Sequence, residues 1–173
     1  MKTTDASLLS QIAQDQFLSG YQMLETLADV CPDEIWYGVY SDVPFWYQVY
    51  HAAYFVDYWF RGNHPEQGFP RMFFDARIPP EFEWDVPEGV SVSRGEMREY
   101  LRLIREKLDR IFTGLTDASL ASAAVQGEET VTLLDVFFSQ SRHVMYNVGY
   151  CNGILREHGL LESDLYAYNE TGE

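Results

Sequence analysis

The stretch SRGEMREYLRLIREKLDRIFT, residues 93–113, is the most regular in the chain. Met97, Tyr100, Leu101, Ile104, Leu108 and Ile111 recur at helical spacing (i, i+3, i+4, i+7, i+11, i+14), so they form one apolar stripe on a 3.6-residue helix whose other positions are mostly charged. Ser93 and Glu96 stand three apart at its start, the spacing at which each side chain satisfies the other's exposed backbone N–H. The pattern predicts a helix over 93–113 that buries one face against other helices.

Working outward, the segment from Gly114 to Gly127 reads as a connection. Thr130 is placed to cap a last helix running to Glu157 and closed by Gly159. On the other side, residues 61–92 hold five of the chain's seven prolines and little periodicity apart from the apolar patch Phe69 to Phe74. They read as a long connection, of a kind uncommon in compact domains unless it covers a site or supports an interface. Before it, Pro44 suits the first position of a helix, where its missing N–H is not needed. That helix should run to about Phe60. Phe45, Trp46, Tyr47, Tyr50, Tyr54, Phe55, Tyr58, Trp59 and Phe60 leave it almost no polar face, which predicts enclosure by neighbouring helices, by the long connection or by the partner in a homodimer.

Residues 32–44 carry turn formers (Pro32, Asp33, Gly38, Ser41, Asp42). Residues 5–29, capped by Thr4 and Asp5, place Leu8, Leu9, Ile12, Ala13, Leu18, Tyr21 and Leu24 at roughly helical spacing. No period-two pattern stands out beyond short pieces such as Val90 to Ser93. These elements predict an all-α fold: one four-helix-bundle domain over residues 1–173, with a long crossover between its second and third helices.

With 173 residues, 46% hydrophobic and 16% aromatic, the chain has material for one continuous core. Its 27 acidic against 12 basic residues give a net charge of −15, which repels nucleic-acid phosphates and anionic lipid headgroups. The arginines are interleaved with acids and form no basic block. Neither a signal-like apolar run nor a stretch of about 18 apolar residues occurs, so the expected setting is the cytoplasm, without nucleic acid or membrane as partner. Cys31 and Cys151 are the two cysteines; no CxxC spacing joins them, and each reads as a small buried hydrophobe.

On the last helix, Val136, Gln140, His143, Asn147 and Ile154 fall at steps of three, four or seven. Polar groups thus interrupt an inward apolar stripe, and buried amides and imidazoles need hydrogen bonds, water or a metal ion. His51 lies in the apolar stretch YQVYHAAYFVDYWF, where a neutral imidazole is favoured and its lone pair is available. Two readings stand side by side: core histidines bonded to hydroxyls among the twelve tyrosines, or ligands of a shared site. The second predicts that His51 and His143 approach each other between the second and fourth helices. Gln140, Cys151, Tyr146 and Tyr150 are placed to support them. His64 and His158 read as surface residues.

The order of these features resembles the DinB-like four-helix-bundle superfamily, which includes bacillithiol- and mycothiol-dependent transferases. That family carries H-x-x-x-H-x-G on its fourth helix, followed by Leu-Arg and a glycine. Here the stretch reads His143-Val-Met-Tyr-Asn147-Val-Gly149, followed by Leu155-Arg156 and Gly159. Pro44-Phe-Trp46-Tyr-Gln-Val-Tyr-His51 is similar to the family's tryptophan-preceded histidine, and the likeness extends to the third helix but not to residues 61–92. The resemblance implies a divalent metal, zinc or nickel, held by His51, His143 and the residue at 147, with a low-molecular-weight thiol as cofactor and a small electrophile as substrate. Asn147 replaces the family's histidine, and its amide oxygen is a weak donor for zinc, so the implied metal site is weakened. The alternative is a non-enzymatic module that uses the same pocket for a small ligand and dimerises.

Overall fold

The computed structural model describes residues 7–60, 78, 86, 88–124 and 130–164. It is predominantly helical: among the described residues run α1 (Leu8–Val30), α2 (Asp33–Trp36), β1 (Val39–Tyr40), β2 (Val43–Pro44), α3 (Phe45–Trp59), α4 (Arg94–Phe112), α5 (Asp117–Leu120) and α6 (Leu133–Glu157). The four long helices α1, α3, α4 and α6 share one core, and no described helix is long and apolar enough to cross a membrane.

Helix α4 follows its sequence pattern closely. Met97, Tyr100, Leu101, Ile104 and Leu108 are buried, Ile111 is packed at the core's edge, and Ser93 and Glu96 form the capping box. The start of α6 is displaced from expectation. Thr132, rather than Thr130, caps it, because Asp135 stands three residues on and completes a second capping box. Its end is as predicted: Gly159 takes φ 67°, a left-handed conformation that a Cβ disfavours. The Leu160 N–H then reaches Leu155 O at 2.9 Å and the Gly159 N–H reaches Arg156 O at 3.0 Å, the paired bonds that satisfy the last carbonyls of a helix.

Helix α1 has no side-chain cap of its own at Ser7, and Thr4 and Asp5 lie outside the described residues. Instead Asp117, from α5, accepts the Ser10 N–H at 2.8 Å. A carboxylate at a helix N-terminus meets both an orphan donor and the positive end of the helix dipole. Leu8, Leu9 and Ile12, which share the apolar spacing of α1, are exposed rather than in the core. The stripe becomes buried only from Phe17 onward.

The turn-rich segment before α3 is more ordered than its composition suggests. It holds the short α2 and a tight hairpin in which Tyr40 pairs with Val43. Ser41 and Asp42 between them have φ of 49° and 68°, as a two-residue turn of the type matching strand twist demands. Pro44 ends β2 and occupies the cap of α3, one position before its first helical residue. Val90 to Ser93, named above as a short strand-like piece, forms no strand. The main-chain oxygen of Val92 there accepts the Trp36 indole N–H at 2.8 Å.

Side-chain contacts give the helix directions. Arg105 pairs with Glu25 at 2.5 Å and Arg98 with Asp29 at 2.6 Å, so α4 runs antiparallel to α1. Tyr50 stacks on Tyr100 and Asp57 meets Lys107, so α3 and α4 are parallel. Parallel neighbours leave the end of α3 and the start of α4 about 22 Å apart along the helix axis, for fifteen residues at 1.5 Å each. Most of residues 61–92, including His64 and the Phe69 to Phe74 patch, lie outside the described residues. Phe60 against Phe137 and His51 against His143 make α6 antiparallel to α3. At one end Phe17, Phe60, Phe112 and Phe137, one from each long helix or its cap, pack with centroid separations of 4.9 to 6.1 Å.

The aromatic α3 is accounted for within the chain. Trp46, Tyr47, Tyr50 and Tyr54 are buried, and Phe55, Tyr58 and Trp59 are partly buried against the same core. Of the covers expected for this helix, neighbouring helices supply the one seen among the described residues. The large exposed apolar side chains of the long helices are on α1 and α6: Leu8, Leu9, Ile12, Phe138, Met145 and Tyr146.

Candidate functional site

The antiparallel pairing of α3 with α6 sets His51 opposite His143. Their ring centroids are 5.0 Å apart and their planes inclined at 65°. Phe55, one turn after His51, completes a triangle of rings at 4.9 Å from His51 and 5.3 Å from His143. Both imidazoles line a cleft of about 380 Å³ together with Ser41, Val43, Gln48, Tyr146, Asn147 and Tyr150. The β1–β2 hairpin forms one wall. Tyr150 fastens it to α6 by donating its hydroxyl to Tyr40 O at 3.2 Å.

His143 is in a half-buried setting that lowers its pKa, because removal from water penalises the imidazolium. At neutral pH it is a neutral ring with a lone pair. Asn147, one turn on and buried, donates its Nδ2 to His143 O at 2.8 Å. A carbonyl can only accept, so this bond fixes which end of the amide faces the helix and leaves Oδ1 as the end available to the cleft.

The cleft's donor set can be tested against a metal ion. Two imidazoles bound to one ion at about 2.0–2.1 Å and a tetrahedral angle have ring centroids about 5 Å apart, which matches the 5.0 Å found. Two rings and an amide oxygen fit a weak divalent site. Among the described residues no three His, Cys, Asp or Glu side chains converge in a way that could hold an ion, so the third protein ligand of any ion in this cleft would have to be an amide. Elsewhere the expected supporting residues divide. Tyr146 stands at the rim, 77% exposed. The hydroxyl of Tyr150 is spent on the hairpin rather than on either imidazole. Cys151 is wholly buried with its thiol pKa pushed far up, by burial and then by Cys31, whose own thiol is pushed up to about 12 by burial first. Neither cysteine is a thiolate at neutral pH. Gly149, the glycine of the same motif, could carry a Cβ with nothing within 4 Å of it, so packing among the described residues does not require a glycine there. His158 is on the surface at the end of α6, edge-on to Tyr40 at 5.8 Å.

Sequence reasoning missed Phe55 and Gln48, although their i+4 and i−3 spacing from His51 on α3 carried the signal, and missed Ser41 and Val43, which enter the cleft only because the hairpin folds back onto α6. Compared with known protein families, with curated proteins and with solved structures, the chain matches none.

Proposed function

We propose that this chain is a four-helix bundle of the DinB-like type whose cleft holds a divalent ion, zinc or nickel, through His51, His143 and Asn147, for thiol transfer to a small electrophile. The observation that carries the reading is the imidazole pair, spaced at 5.0 Å across two helices and lining one cleft. An ion held there would supply Lewis-acid activation of a low-molecular-weight thiol. The protein's own residues do the rest. Burial keeps His143 neutral and able to donate a lone pair, while Val43, Tyr146 and Tyr150 offer an apolar wall for the body of a small ligand. Both cysteines of the chain are buried with raised pKa, so the reacting thiol must be a separate molecule.

The test is elemental analysis of protein purified without a metal-binding tag, followed by calorimetric titration of stripped protein with zinc and nickel. The reading expects weak binding in the wild type that is lost in His143→Ala. Identical binding by the two proteins would refute it. A second reading, a non-enzymatic module that uses the cleft for a small apolar ligand, is favoured by one observation: Asn147 is engaged with its own helix and no carboxylate or third imidazole replaces it among the described residues.

A further inference from the structure

One polar residue near the cleft has no role in the reading above. Gln140 lies one turn before His143 on α6 and is 4% exposed. Its Oε1 and the Nδ1 of His143 are both shut off from solvent, and neither has a hydrogen-bond partner among the described residues. Native proteins leave few such atoms unsatisfied, and those they leave call for a cause. Residues three apart on a helix are neighbours. The two atoms are also chemically complementary: an amide oxygen accepts only, whereas an imidazole that offers Nε2 to a ligand carries its proton on Nδ1 and must donate it. They are not bonded to each other directly, and one water between a donor and an acceptor satisfies both.

We propose that Gln140 is the positioning residue of His143: a buried water accepts the Nδ1–H of His143 and donates to Oε1 of Gln140, holding the ring in the tautomer that offers Nε2 to the cleft. This rests on the reading of His143 as a ligand, but its consequence belongs to the metal-free protein and can be measured there. Partners of this kind behind a ligating histidine fix ring orientation and raise ligand basicity. Asn147 does not take the role, because its amide nitrogen is committed to His143 O and its oxygen is the end that faces the cleft as the third ligand in that reading.

Long-range proton–nitrogen correlation spectra of stripped, nitrogen-15-labelled protein at neutral pH report which ring nitrogen of His143 carries the proton. The expected result is Nδ1–H in the wild type, a shift toward Nε2–H in Gln140→Met, which conserves volume and removes the acceptor, and Nδ1–H again in Gln140→Glu. Zinc affinity should fall about 10- to 100-fold in Gln140→Met and recover in Gln140→Glu. A wild-type His143 protonated on Nε2, or the same tautomer populations in wild type and Gln140→Met, overturns the proposal. So does loss of metal binding in Gln140→Met without a tautomer change, which would make Gln140 a direct ligand. If no variant binds metal, the proposed function fails while the tautomer comparison still decides the role of Gln140. Coincident melting curves for wild type and Gln140→Met show that the comparison is made on folded protein.

Discussion

Replacing Asn147 by histidine puts the cleft's chemistry to its sharpest test. The change exchanges a weak amide oxygen for a third imidazole on the same turn, and a gain of at least tenfold in zinc or nickel affinity, about 1.4 kcal/mol, is expected. The structure also sets a cost. The bond from Nδ2 to His143 O at 2.8 Å is lost, worth about 0.5–1.5 kcal/mol. The residue is only 2% exposed, so the larger ring must turn into the cleft, whose roughly 380 Å³ can admit it. The metal-free variant should therefore melt about 2–4 °C below the wild type for each kcal/mol lost in a domain of this size. Metal at a hundredfold excess over its dissociation constant should return about 2.7 kcal/mol. Calorimetric titration of both proteins, with Asn147→His combined with His143→Ala as control, measures the first quantity, and thermal unfolding with and without metal measures the second. Equal affinity in wild type and Asn147→His, in a variant that is folded, would show that the two imidazoles do not share an ion, and the metal reading would fall with it.

Other consequences follow from burial. Asp57 and Lys107 form an ion pair between α3 and α4 with exposures of 6% and 9%. Asp57→Ala should destabilise the fold by about 3–5 kcal/mol, because a buried ammonium loses its carboxylate. The backbone oxygen of Asp57, which Lys107 also reaches at 3.1 Å, favours the lower end, and urea unfolding reads the difference. The pKa of His143 is lowered by burial from its ordinary 6.5, so below that pH the unfolded chain takes up a proton that the native state resists. Stability is thus whole above about 6.5 and declines as pH falls through and below it. His143→Phe should flatten that part of the stability profile, whereas an unchanged slope in the variant would place its origin elsewhere.

The helices were legible because their causes are local. Six apolar residues at 3.6-residue spacing and a serine three before a glutamate determine α4 without reference to any other segment, and Gly159 does the same for the end of α6. The facing of His143 and Asn147 on one side of α6 also follows from spacing, and the approach of His51 to His143 between α3 and α6 agrees with what their placement in the sequence led us to expect. What the sequence did not show had nonlocal causes. The apolar spacing at Leu8, Leu9 and Ile12 says which residues share a side of α1 but not whether a neighbouring helix reaches that far; among the described residues these three are exposed. The cap of α1 comes from Asp117, 107 positions away from Ser10, a distance at which sequence carries no signal. A tight turn built from Ser41 and Asp42, rather than from glycine, hid the hairpin that walls the cleft.

The sequence by itself determined the helical character and which imidazoles and amides interrupt the apolar helices, because periodicity and side-chain chemistry are properties of neighbouring residues. Only the tertiary structure decided that His51 and His143 stand 5.0 Å apart, that Tyr150 is bonded to the hairpin and that Cys151 is too deeply buried to ionise. Those facts depend on how far α6 slides along α3 and on what packs behind it, and that register is set by the sum of many weak contacts across the core rather than by any one stretch of chain.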